Sequence, residues 1–160
     1  MKSALSAAHP CLSALALCAA FSIAPAHAAP ACPSLPADSG LHWNEQTASG
    51  FLVCRASARD GREVLTLMLT GNDPGIPLQR ALRQEKDSFA GETMHWYLPD
   101  LGGQEPPGYA ERRISVVKLQ KDRYAQLALY PGSHDELGSL QQLTRALDLN
   151  AAAAAVAAGR

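Results

Sequence analysis

Apolar and polar side chains alternate with a period of two through the middle of the chain. In Arg62-Glu-Val-Leu-Thr-Leu-Met-Leu-Thr70 this sets Leu65, Leu67 and Leu69 on one face, as in a strand with one side against a core. Upstream, Leu41–Thr47 and Phe51–Ser57 read as two further strands joined by Ala48-Ser49-Gly50, and Asp60-Gly61 is a hairpin signal before the third. Downstream, Glu92–Leu98, Arg112–Leu119 and Tyr124–Tyr130 bring the count to about six. Most of the connections are short, which favours antiparallel neighbours.

The period changes after Pro131-Gly132. Ser133, with Glu136 three residues on, forms a capping box, and Leu137, Leu140, Thr144 and Leu147 then recur at helical spacing with Leu143 beside them. This predicts an amphipathic helix lying across one face of the sheet. A second, shorter helix is predicted over Pro77–Lys86, where Pro77 suits a first turn and Leu78, Ala81 and Leu82 share a face. Gly71-Asn-Asp-Pro-Gly75 is a dense turn cluster that separates it from the first three strands. Sheet followed by helix predicts an α+β fold, an antiparallel sheet of about six strands with a C-terminal amphipathic helix packed on one face. One domain over 29–150 accommodates all of it, followed by an alanine-rich tail at 151–160 with little to bury.

The first 28 residues follow a different pattern. Lys2 precedes an apolar run from Cys11 to Ile23, Pro25 breaks it, and Ala26-His27-Ala28 presents small residues where signal peptidase cuts. The run is about 13 residues against the roughly 20 needed to span hydrocarbon, so a cleaved signal peptide is expected rather than an anchor. Leu15-Ala16-Leu17-Cys18 resembles a lipobox, but Leu17 stands where lipoproteins carry a small residue. The protein is therefore expected to be periplasmic or secreted, with no membrane span after cleavage.

Export changes the meaning of the cysteines. Cys11 and Cys18 leave with the signal, and the remaining pair, Cys32 and Cys54, is expected to form a disulfide that pins the mature amino end onto a strand. Closing a loop of about 22 residues contributes roughly 3 kcal/mol in the chain-entropy picture. The whole chain carries 14 Lys and Arg against 15 Asp and Glu, and the exported part loses only Lys2 from that count. So even a balance gives no broad basic face for nucleic acid or anionic membrane.

Catalytic patterns are sparse. His42, His95 and His134 stand in no metal-ligand spacing, and Glu92 and His95 lie on a predicted strand where an i, i+3 pair points to opposite faces. Ser133-His134-Asp135 names the triad residue types, but consecutive residues cannot form the relay, and Ser133 is better used as a cap. Glu85, Asp87, Glu92 and Asp100 offer carboxylate pairs of unknown separation. The glycine clusters Gly71–Gly75 and Gly102-Gly103 lack the strand-to-helix context of a phosphate cradle. No cofactor and no metal are implied. Trp43 and Trp96 read as core anchors, with an exposed aromatic platform as the alternative.

The segment Tyr97-Leu-Pro-Asp-Leu-Gly-Gly-Gln-Glu-Pro-Pro-Gly-Tyr109 is long and irregular, yet holds Tyr97, Leu101 and Tyr109. Aromatic groups on a proline-stiffened loop lose little entropy on binding, so these three are the candidate partner-binding residues; the competing reading has them folded back over the sheet edge. The expected function is a small exported binding protein, inhibitor-like or immunity-like, that recognises another envelope or secreted protein. The alternatives are a cell-envelope hydrolase with unlocated carboxylates and a structural accessory of an envelope complex. The export reading predicts that the intact mass of protein recovered outside the cytoplasm begins at Ala29; the full precursor, or a lipid on Cys18, would contradict it.

Overall fold

The computed structural model describes residues 32–48, 50–150 and 152. The expected signal peptide at 1–28 and most of the tail at 151–160 lie outside the described residues. Seven strands, β1 (His42–Ala48), β2 (Phe51–Ser57), β3 (Glu63–Thr70), β4 (Arg83–Phe89), β5 (Glu92–Tyr97), β6 (Arg113–Gln120) and β7 (Arg123–Leu129), form one antiparallel sheet in the order β1-β2-β3-β7-β6-β5-β4. The helix α1 (His134–Ala146) follows β7 and covers one face. The α+β architecture is as the sequence predicts, with one strand more.

Two meanders meet at the β3–β7 seam, where Leu65, Leu67 and Leu69 stand opposite Leu129, Leu127 and Ala125. Those side chains, with Leu52, Cys54 and Ala56 of β2, share the inner face, and Leu137, Leu140 and Thr144 of α1 close over it. The Cys32–Cys54 disulfide is present. It draws the leader over the inner face, where the Trp43 indole donates to the Pro33 carbonyl. Ala152 is also fully buried against this core.

The predicted helix over Pro77–Lys86 is not formed. Its middle is a 3-10 turn at Arg80–Leu82, and the chain then enters β4. A two-residue turn decides this: Ala90 and Gly91 take φ of 50° and 84°, the left-handed pair that folds one strand back on the next in a tight hairpin. Once β4 is paired with β5, Glu85, Asp87 and Phe89 alternate toward the inner face, and each finds a partner there. Ladder bonds and inward partners outweigh the high intrinsic helix propensity of Arg-Ala-Leu-Arg-Gln-Glu-Lys.

At the start of α1 the Ser133 hydroxyl accepts from the Glu136 amide at 3.2 Å. The Glu136 carboxylate reaches back to the Gly132 amide and across to Arg62, tying the helix start to the β2–β3 turn. Ser133→Ala is expected to cost about 1 kcal/mol by loss of the cap, and Leu140→Ala about 2–4 kcal/mol by opening a cavity. Chemical denaturation measures both; two unchanged midpoints would mean the helix is not docked on the sheet.

Candidate recognition surface

One end of the sheet gathers the β2–β3 turn, the loop 98–112 between β5 and β6, and the Tyr130–Ser133 connection to α1. The loop is held from several sides. The Tyr109 hydroxyl donates to the Pro99 carbonyl at 2.9 Å, closing the loop across its neck. Asp100 accepts from the Gly102 amide at 3.0 Å and from the Gln79 side chain. A 3-10 turn at Tyr109–Glu111 then leads into β6.

Beneath the loop lies Arg113, 6% exposed. Its Nη1 donates to the Ala110 and Arg112 carbonyls at 2.7 and 2.9 Å, and its Nε and Nη2 form a two-bond fork on Glu85 of β4 at 2.8 and 2.7 Å. Gln141 of α1 donates to the same carboxylate. Next along β4, Asp87 accepts from Arg145 of α1 and from the indole of the fully buried Trp96. A charge buried this deeply is tolerated because its N–H groups are occupied. The Arg113 fork, the first cause, draws the Glu85 carboxyl below its ordinary pKa; Arg62 does the same to Glu136.

The three candidate residues part company. Tyr97 is 9% exposed, with the Arg83 guanidinium 5.8 Å from its ring centroid, so its ring offers a partner little area. Tyr109 is half-buried and spends its hydroxyl inside the loop. Leu101 stands out, 38% exposed.

Two residues not singled out from sequence join it at this end. Tyr130, also 38% exposed, follows β7, and the Arg112 guanidinium lies 6.0 Å from its ring centroid. With Pro107, Gly108, Arg62 and Glu63 they line a shallow cleft. On the adjoining outer face Glu63 takes the Thr66 hydroxyl and lies 4.0 Å from Arg55, which donates to Gln46. Partial burial first, then the Glu63 charge, push the Tyr130 phenol above its ordinary pKa, so it is neutral at physiological pH. The signal for Tyr130 was its place at a strand end before Pro131-Gly132.

The residues weighed for catalysis are spread out or engaged. Ser133 caps α1, Glu85 and Asp87 are ion-paired, and Asp100 shapes its loop. Among the described residues, no cluster of His, Cys, Asp or Glu is arranged to hold a metal ion. None of their helices is long and apolar enough to cross a membrane, which says nothing of strands. Comparison with known proteins finds no matching family model, no similar curated protein and no similar solved structure.

The Arg113–Glu85 pair should be visible in acid. A carboxylate whose folded pKa is depressed adds stability that is present above its unfolded value, near 4.5, and lost as pH falls through the lower folded value. Glu85 is open to water on one side, 44% exposed, which moderates its worth. Glu85→Gln should cost about 1–3 kcal/mol at pH 7, and the variant's stability should fall less steeply below pH 4.5. Urea melts at a series of pH values check this; parallel acid limbs in the two proteins would remove Glu85 from the account.

Proposed function

We propose that the chain is a small exported binding protein that recognises another envelope or secreted protein, in the manner of an inhibitor or immunity factor. The Cys32–Cys54 disulfide suits an oxidising compartment, and the leader sequence suits delivery there. One observation carries the binding reading. The large hydrophobic side chains that stand exposed among the described residues, Leu101 and Tyr130, are both at the loop end of the sheet. The segments that bear them are fastened by hydrogen bonds to neighbouring backbone and side chains.

Such a surface is ready to bind. Exposed apolar area gives the driving force, and the braced loop loses little freedom when covered. Tyr130 stacked by Arg112 supplies the two residue types that most often carry interface energy, with Glu63 and Arg55 as polar rim.

Affinity capture of the tagged protein from envelope extracts, followed by calorimetry with the recovered partner, tests the reading. Leu101→Asp and Tyr130→Ala should each weaken binding by more than about 1 kcal/mol with the melting temperature unchanged. Tyr97→Ala should lower the melting temperature. Full affinity in both surface variants, each stably folded, would overturn the assignment of this end of the sheet as the recognition surface.

A further inference from the structure

The sheet has two edges, and they are built differently. On β4, the register shifts between Arg83 and Lys86, and Arg83, Glu85, Lys86 and Asp87 crowd the strand with charge. A bulge and charged side chains are the usual devices that stop an edge from pairing with another chain. On β1, all seven residues pair with β2 in unbroken register, from His42 opposite Ser57 to Ala48 opposite Phe51. It contains no proline and no lysine, and Glu45 is its one formally charged residue at neutral pH. Every residue of β1 except Trp43 is exposed. The described leader touches this strand from the inner face, where the disulfide, the Trp43–Pro33 bond and the Cys32 amide, donating to the Glu45 carboxylate at 3.0 Å, hold it.

We propose that β1 is a homodimer edge, pairing antiparallel with β1 of a second copy about a two-fold axis through Asn44 and perpendicular to the sheet. The occupant follows from self-complementarity. In this register Asn44 faces Asn44 of the other copy, His42 faces Gln46, and Trp43 faces Glu45, so no like charges meet. Residues directly opposite lie about 4.5–5.5 Å apart at Cβ, close enough for the amide pairs to hydrogen-bond. Centring on Glu45 would set two carboxylates face to face, and centring on Gln46 would give an overlap of the same length but leave His42 and Trp43 outside the pairing. The proposal concerns the edge remote from Leu101 and Tyr130 in strand order and stands whether or not that end binds a partner.

The test is the mass of the purified chain in solution, by light scattering and sedimentation equilibrium over a micromolar to millimolar range. A reversible dimer is expected. Asn44→Asp, which sets two carboxylates opposite each other and faces Arg55 within its own chain, should weaken it at least tenfold without lowering the melting temperature of the dilute monomer. A flexible bis-maleimide should link Asn44→Cys chains into dimers in proportion to that equilibrium and leave Ser88→Cys chains, labelled on the β4 edge, as monomers. Should Asn44→Asp fail to fold, the crosslinking pair decides. A chain that stays monomeric throughout, a dimer indifferent to Asn44→Asp, or equal crosslinking at residue 88 overturns the proposal.

Discussion

The buried guanidinium of Arg113 is the constraint on which the distal half of the molecule depends. β5 meets β6 in register at one position, Tyr97 opposite Ile114, supplemented by the Ser115 hydroxyl donating to the His95 carbonyl. That is a thin backbone ladder to carry the whole β4–β5 hairpin. Arg113 makes up the deficit from the side-chain level, since its fork on Glu85 crosses from β6 to β4 over the strand between them. Gln141 and Arg145 then bring α1 onto the same carboxylate row at Glu85 and Asp87. Removing one partner of such a pair costs more than the pair contributes, because the survivor keeps its desolvation penalty.

The same residue links fold to surface. The second pair of Arg113 bonds ends on the backbone of the loop that presents Leu101. Loop position therefore depends on the docking of the β4–β5 hairpin and, through Gln141, of α1. A loop held in this way belongs to the rigid body of the domain, and the entropy of ordering it is already spent on folding. At the opposite side of the sheet the disulfide has the corresponding role, fastening the leader and Trp43 beside the helix.

Local pattern was sufficient for much of the fold. The alternation at Leu65, Leu67 and Leu69, the capping box at Ser133 and Glu136, and the pairing of Cys32 with Cys54, the two cysteines outside the apolar leader, each specify their structure through neighbours in sequence or through a choice with one solution. Tertiary structure decided the rest. β4 is a strand because its carboxylates meet Arg113 and Arg145 and its end turns through Ala90-Gly91, partners and dihedrals that no periodicity in Pro77–Lys86 announces. Tyr97 and Leu101 are four residues apart with opposite fates, one covered by the sheet's outer-face packing and one left at a loop tip. Tyr130 and Leu101 come to the same end because β5 and β7 both run antiparallel to β6, which lies between them. Sequence fixes which faces are apolar, since periodicity is a property of the local backbone; which side chains converge depends on strand order, and strand order is set by contacts between segments far apart in the chain.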